Sequence, residues 1–439
     1  MELKTFPQGI HPSDSKELTQ ELPVNQMPVP KKVVIPLSQH IGAPATCVVQ
    51  VGDFVKTGQL IGESSGFISA NVHASISGKV VEIKDALTAT GAMSKAVVIE
   101  GDGKDEWVDM KRYESFDDLT SEDLKKIIEE AGIVGLGGAA FPTNVKLSPP
   151  ADKNIEYLII NSAECEPYLT CDYRVMIERT MDTIKGMKIF MKILGINKCL
   201  IGIENNKIGA YNTYRKMLEN EPDIDVYMLQ TKYPQGAEKS LIKALINKEV
   251  PSGGLPMDVG VVVQNVGTVL AAYEAVYKGK PLIERVMTVS GYGIRQPQNL
   301  LVRLGVSFEE IINYCGSFVE TPGKIICGGP MMGFAQYDLS VPVVKGTSGL
   351  LVFPEDTVNT YEESPCIRCA KCVDACPQFL VPSELAKYGK KYLWDRAEEN
   401  GVMDCVECGS CSYVCPAKIN LVQYIKLAKN EINIRRRKK

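Results

Sequence analysis

Eight of the chain's 14 cysteines fall in two runs, Cys366, Cys369, Cys372, Cys376 with Pro377, and Cys405, Cys408, Cys411, Cys415 with Pro416. Both runs read C-x2-C-x2-C-x3-C-P, and 28 residues separate them. Three thiolates two residues apart can wrap three corners of one iron–sulfur cubane. The fourth, turned away and fixed by its proline, reaches the other cluster. Two [4Fe–4S] clusters are therefore expected, one on Cys366, Cys369, Cys372 and Cys415 and the other on Cys405, Cys408, Cys411 and Cys376. Zinc sites use two C-x2-C pairs and need neither the third equally spaced cysteine nor the proline. The clustering also excludes a spread disulfide framework, and Met1-Glu2-Leu3-Lys4 lacks the apolar core of a secretion signal. The remaining Cys47, Cys165, Cys171, Cys199, Cys315 and Cys327 are scattered and read as buried, inert thiols.

A second chemistry lies upstream. Gly135-Leu136-Gly137-Gly138-Ala139-Ala140-Phe141-Pro142-Thr143-Asn144-Val145-Lys146 places glycines after a helix and ends on a lysine. Glycines let backbone N–H groups approach a phosphate or a flat ring, and lysine adds a point charge. Alone, such a loop is equally a tight turn. Three further segments accompany it: Asn161-Ser162-Ala163-Glu164-Cys165-Glu166-Pro167, Tyr233-Pro234-Gln235-Gly236-Ala237-Glu238, and Gln264-Asn265-Val266-Gly267-Thr268. Any one of these carboxylates could simply partner a helix N-terminus, but all lie at or near the ends of strand patterns, where an α/β sheet holds its ligand. His11, His40 and His73 have no metal-ligand spacing and read as structural.

The elements that must position these groups follow from periodicity. Thr120-Ser121-Glu122-Asp123 is a capping box ahead of Leu124, Ile127, Ile128 and Ala131, with Gly132 as the stop. Apolar runs at 157–160, 199–203, 226–229 and 259–263 alternate with helical segments such as 174–194, which predicts a parallel sheet covered on both faces over 116–280. Residues 1–115 read as a β-rich, quasi-duplicated hairpin sandwich around Val51-Gly52-Asp53 and Ser77-Gly78-Lys79. It resembles the biotinyl/lipoyl barrel, yet the tip Gly66-Phe67-Ile68-Ser69-Ala70-Asn71-Val72 has no lysine for a cofactor, so a structural or docking role is expected. Residues 281–355 return to short strands and one helix near 307–314, a small α+β module. The segment 356–439 is helical around its cysteines, and the long insert between the runs favours an all-helical two-cluster ferredoxin arrangement. A helix is expected over 419–434, followed by the cationic tail Arg435-Arg436-Arg437-Lys438-Lys439.

Composition bounds the rest. The 439 residues suffice for about three or four domains. Lys+Arg 49 against Asp+Glu 53 is too balanced for a nucleic-acid binder, and no apolar run reaches the roughly 18 residues of a membrane span.

At the glycine loop the resemblance becomes specific. Gly135 to Lys146 is similar to the flavin loop G-R-G-G-A-G-F-P-T-x-x-K of the NADH-binding flavoprotein subunit of respiratory complex I. Asn161 to Pro167 resembles that family's N-A-D-E-S-E-P, Gly236-Ala237-Glu238 its G-E-E, and Gln264 to Thr268 its N-N-V-E-T. The likeness implies that Gly135, Gly137, Gly138, Lys146, Asn161, Glu164, Asn265 and Thr268 hold FMN. It further implies that Phe141, Glu166 and Glu238 hold NADH, with Phe141 near the nicotinamide or adenine. Over nearly its full length the chain resembles the RnfC family, the C component of the Rnf complex, an ion-translocating ferredoxin:NAD+ oxidoreductase. Phe6-Pro7-Gln8-Gly9-Ile10-His11-Pro12, Gln39 to Ala45, Val72 to Gly78, the flavin loop and the doubled cysteine runs occur in that family's order.

That resemblance implies an α/β multidomain protein: a barrel-sandwich module (1–115), a Rossmann-like FMN/NADH domain (116–280), a soluble-ligand-binding β-grasp (281–355) and the helical ferredoxin domain (356–439). It implies hydride exchange between NAD(H) and FMN, relayed singly through two [4Fe–4S] clusters. The expected partners are the membrane subunits of the complex and ferredoxin, met directly or through another subunit, with this chain peripheral on the cytoplasmic face of the membrane and no nucleic acid involved. Two other readings stand beside it. One is a flavin and iron–sulfur corrinoid reductase of a diol-utilisation microcompartment. The other is a non-catalytic relay scaffold, motivated by Leu136, Ala163 and Ala237 where the complex I pattern has arginine, aspartate and glutamate.

Overall fold

The computed structural model describes residues 3–358 and 360–437. Its chain order begins with eight strands: β1 (Val24–Gln26), β2 (Lys32–Pro36), β3 (Thr46–Cys47), β4 (Phe54–Val55), β5 (Leu60–Glu63), β6 (Val72–His73), β7 (Gly78–Leu87) and β8 (Met93–Gly101). Strands β2, β8, β7 and β4 form one sheet and β3, β5 and β6 a second. Val33, Ile35, Ile61, Val72, Ile76, Val97 and Ile99 close a core between them, the alternation that a sandwich requires.

The middle of the chain alternates as the periodicity predicts: α1 (Ser121–Glu130), α2 (Thr143–Lys146), β9 (Tyr157–Ser162), α3 (Cys171–Glu178), α4 (Thr180–Leu194), β10 (Cys199–Glu204), α5 (Ile208–Met217), β11 (Ile224–Leu229), α6 (Glu238–Ile246), β12 (Val261–Asn265) and α7 (Val266–Lys278). Thr120 and Asp123 make the expected capping box on α1. The sheet is parallel throughout, in the order β11-β10-β9-β12. Successive residues of one strand feed opposite cores. Leu158 and Ile160 face α1, α4 and α7, while Ile159 packs with Leu241, Ile242 and Leu245 of α6. The helix expected over 174–194 is broken at Arg179, which leaves helical geometry and pairs with Asp182 and Glu274. Beyond the break, a Cβ on Gly186 would lie 2.2 Å from the Val269 carbonyl, so glycine permits the close crossing of α4 and α7.

A third module comprises β13 (Glu284–Ser290), β14 (Gln298–Arg303), α8 (Phe308–Tyr314), β15 (Pro322–Cys327), β16 (Phe334–Gln336) and β17 (Gly349–Pro354). Its mixed sheet runs β1-β14-β13-β17-β15-β16, so the amino-terminal β1 is its edge strand. The segment ahead of β1 is likewise spread over other modules rather than joined to the sandwich. Lys4 bridges Leu229, and Ile10 and Tyr233 exchange both backbone hydrogen bonds at 2.8 Å. Residues this far apart leave no trace in local alternation, which is why the sequence assigned the whole of 1–115 to one unit.

The carboxyl-terminal module carries α9 (Lys371–Asp374), α10 (Pro382–Lys390), α11 (Trp394–Glu399), α12 (Ser410–Tyr413) and α13 (Leu421–Arg437). Leu385, Ala397, Leu421, Ile425, Ala428 and Ile432 form its core. The cationic tail is in part the end of α13. There Arg435 pairs with Asp395 and Glu431, and Arg436 with Glu398, while Lys438 and Lys439 lie outside the described residues.

Candidate functional site

In the parallel sheet the winding direction reverses between β9 and β12, and a crevice opens at the carboxyl ends of strands at such a reversal. Asn161 and Asn265, one from each strand, pair in register at this position. Asn161 donates its amide to the Gly236 carbonyl at 2.8 Å, tying the segment before α6 to the strand end. Asn265 caps α7 by accepting the Gly267 N–H at 2.8 Å and donates to Asp172 at 2.7 Å.

The glycine loop folds over this pair. Gly135 donates to the Phe141 carbonyl at 2.9 Å to close the loop, and the Leu136 N–H reaches Thr268 Oγ1 at 2.9 Å. A Cβ on Gly137 would stand 2.6 Å from Asn265 Nδ2, whereas one on Gly138 would meet nothing within 4 Å. Gly137 therefore lets the loop touch the strand end, and Gly138 leaves the exposed tip bare. Lys146, in the last turn of α2, pairs at 2.6 Å with Glu238, the first residue of α6. The glycine loop and Lys146 meet the strand ends here; the amides of Asn161 and Asn265 are engaged within the protein, which leaves the exposed backbone of Gly137 and Gly138 and the lysine as the groups that fit a flat ligand carrying a phosphate.

The two carboxylates of the Asn161 segment have different surroundings. Glu164 accepts the Asp172 N–H at 2.7 Å and the Tyr173 N–H at 3.2 Å, thereby capping α3. Burial and the neighbouring Glu164 push the Asp172 carboxyl up to about 7. Glu166, expected beside a dinucleotide, has both oxygens engaged by the third module: they accept the Met331 and Met332 N–H groups, each at 3.0 Å. Burial pushes its carboxyl up to about 7 despite those two bonds. Lys16, buried and not anticipated from the sequence, supports the same segment by donating to the carbonyls of Glu164, Glu166 and Leu169. Its only signal was position in the Phe6 to Pro12 neighbourhood, for which no chemistry was legible.

The cysteines are brought together in the crossed pattern. One small pocket is lined by Cys366, Cys369, Cys372 and Cys415, and another by Cys405, Cys408, Cys411 and Cys376. The backbone repeats too. Arg368 and Ala370 flank Cys369 with φ of 55° and 60°, and Glu407 and Gly409 flank Cys408 with φ of 57° and 79°. Left-handed residues on both sides of the middle cysteine wrap the chain into a concave nest of N–H groups, a conformation that non-glycine residues adopt at a cost. Four thiols around each cavity, with the N–H groups such a nest supplies, match the donor set of a cubane cluster. The two sites differ in access. Cys366 and Cys369 are exposed, while Cys376, Cys408 and Cys411 are buried. Burial pushes the Cys405 and Cys411 thiols up to about 11 and 12.

The buried site adjoins the crevice module. Tyr233, 1% exposed, donates its hydroxyl to the Cys408 carbonyl at 2.8 Å and lies 3.5 Å from Glu166. Ile10, Tyr233, Ala375 and Cys408 share a small apolar core with Cys165 and Met331.

Comparisons with known proteins agree with this division. Residues 4–104 match a family described as the RnfC barrel sandwich hybrid domain, 128–274 the Nuo51 FMN-binding domain, and 359–432 a 4Fe-4S dicluster domain. The chain is 53% identical over 98% of its length, and 94% of the relative's, to the C component of the proton-translocating ferredoxin:NAD(+) oxidoreductase complex of Clostridium ljungdahlii. It is 48% identical to the Na(+)-translocating counterpart of Acetobacterium woodii, covering 99% of this chain and 98% of that one. Among solved structures, an NAD+-reducing [NiFe]-hydrogenase in the H2-reduced state is similar in fold at a TM-score of 0.51 and 18% identity, over 70% of this chain and 61% of that one.

Proposed function

The chain belongs to the RnfC family, the C component of ion-translocating ferredoxin:NAD(+) oxidoreductase complexes, and from that membership we propose which of its residues do the work. It is an electron-transfer subunit with an FMN domain and a [4Fe–4S] dicluster domain, and it reacts with NAD(H). The observation that carries the residue assignment is the register pairing of Asn161 with Asn265 beneath the glycine loop.

FMN in the crevice supplies the step between two-electron hydride chemistry with NAD(H) and one-electron transfer to the clusters. Gly135, Gly137 and Gly138 present a bare backbone to its flat or phosphorylated face, and Lys146 supplies a cation for its phosphate. Asn161, Asn265 and Thr268 hold the loop and both strand ends in place, and Glu164 fixes the start of α3 beside them. Phe141 and Glu238 would hold NADH beside the loop, with Glu238 free to leave Lys146 for a ribose hydroxyl. Glu166 acts at the edge of this site, holding the third module against it. These residues would position the two rings for hydride transfer.

The buried cysteine set is next to the crevice module and would hold the cluster nearer the flavin; the set with Cys366 and Cys369 at the surface would hold the one nearer a partner. The partner is a ferredoxin or a cluster-bearing subunit of the same complex. No helix among the described residues is long and apolar enough to cross a membrane. From the family membership the reading we adopt is attachment on the cytoplasmic face through partner subunits, with ion passage left to those subunits. The parallel module is Rossmann-like in its strand order, and the third module takes the role of a β-grasp. The divisions of the sequence we adopt are 1–115, 116–280, 281–355 and 356–439, with the segment up to β1 packed on the later modules and the sandwich beginning at β2.

The test is reconstitution of the full chain with FMN, iron and sulfide under anaerobic conditions. NADH should bleach the flavin absorbance and then the cluster absorbance. A protein that loads both cofactors yet shows no NADH-dependent bleaching would leave it a relay without nicotinamide chemistry.

A further inference from the structure

Tyr233 belongs to the crevice module by sequence, three residues ahead of Gly236, yet its hydroxyl ends on another module. It donates at 2.8 Å to the backbone carbonyl of Cys408, the middle cysteine of the second run. Tyr233 is 1% exposed and Cys408 8%. The next residue, Gly409, is held from a second side: a Cβ there would lie 3.0 Å from the Met331 carbonyl, and its φ is 79°. Met331 and Met332 in turn donate their N–H groups to Glu166, which is 3.5 Å from the Tyr233 hydroxyl. The Cys408–Gly409 peptide is thus clamped between a phenol of the crevice module and a loop of the third module, and one carboxylate joins the two jaws. At the matching place in the other run, Cys369 is solvent-exposed.

We propose that Tyr233 is a positioning residue for the buried cluster, fixing the Cys408 loop against the crevice module and setting that cluster's reduction potential. The inference rests on the assignment of Cys408 to a [4Fe–4S] cluster. An added electron makes the cluster more negative. A donor polarising the ligand's own peptide stabilises the reduced form. Loss of this one hydroxyl therefore makes the buried cluster harder to reduce and leaves the exposed one alone. Hydrogen-bond partners of this kind are among the levers that tune cluster potentials.

The experiment is an EPR-monitored redox titration of the reconstituted full chain. Tyr233→Phe, which removes only the hydroxyl, should shift the reduction equilibrium of one cluster roughly three- to tenfold against reduction, about 30–60 mV downward at 59 mV per tenfold for one electron. The other cluster and the FMN content should be unchanged. Incorporation of 3-fluorotyrosine at 233, which retains the ring and makes the hydroxyl a stronger donor, should move the same potential upward and covers the case in which the phenylalanine variant fails to fold. A parallel Cys408→Ala sample identifies the buried cluster by loss of its signal. If Cys408→Ala keeps both clusters, the cluster assignment fails. If it loses one but neither change at 233 moves that cluster's potential, or both clusters move together, the role of Tyr233 is overturned.

Discussion

Replacing Lys146 by alanine separates the two ligands that the crevice is proposed to hold. In the structure Lys146 is not idle: it lies 2.6 Å from Glu238, with the two side chains 29% and 38% exposed. A pair so open to solvent contributes about 0.2–1 kcal/mol, because water screens it and both side chains lose freedom. A charge-assisted contact to the FMN phosphate contributes about 1.5–3 kcal/mol. Phosphate binding must give up the first to gain the second, so the net contribution of Lys146 is about 0.5–2.8 kcal/mol, or roughly 2- to 110-fold in affinity. The assay is titration of deflavinated protein with FMN, followed by quenching of flavin fluorescence. Lys146→Ala should weaken binding within that range. Glu238→Gln frees the lysine and should leave FMN affinity equal or tighten it up to roughly fivefold, while weakening NADH. The opposite pattern, in which Glu238→Gln releases FMN and Lys146→Ala retains it, would show that the glutamate and not the lysine faces the flavin.

Three further outcomes test other parts of the molecule. Cys376→Ala should abolish the EPR signal of the buried cluster and spare the one on Cys366, Cys369 and Cys372, because Cys376 lines the cavity of Cys405, Cys408 and Cys411; loss of the exposed cluster instead would mean the fourth ligands are not crossed. Lys345, wholly buried with its ammonium 2.6 Å from the carbonyls of Asn71 and Gly132, is pushed by desolvation down to about 7. The unfolded chain then binds more protons between pH 7 and about 10.5, so stability rises with pH across that window. Lys345→Met should remove about 2 kcal/mol of that rise between pH 7 and 9, read as urea midpoints of both proteins at each pH; parallel pH profiles would refute it. Lys16→Met leaves the carbonyls of Glu164, Glu166 and Leu169 without their shared donor, and hydrogen exchange should quicken over 164–170 while the sandwich is unaffected; unchanged exchange there would show that the lysine is dispensable.

Spacing alone carried the cluster chemistry, because a cubane demands thiols at intervals that no ordinary core reproduces, and the crossed grouping of Cys376 and Cys415 follows from where the prolines stand. The parallel sheet was legible for a similar reason: strands covered on both faces must be short, continuous apolar runs, as at 157–160 and 199–203, and the helices between them must show a 3.6-residue period. The glycine loop and its strand-end partners could be identified as a set, since each motif is local. What each side chain touches could not be read in this way. Glu164 and Glu166 are two residues apart and chemically identical, yet one caps α3 and the other enters a nest of Met331 and Met332 amides more than 160 residues away. Lys16 and Lys345 carry no motif, and Tyr233 merely opens the segment that ends in Glu238, because their partners are backbone carbonyls, which every residue possesses. Only the tertiary fold determines which carbonyl a buried donor meets. The amino-terminal strap shows the same limit: its pairing with Leu229, Tyr233 and β14 is made of main-chain bonds between distant segments, and these leave no local period in the sequence.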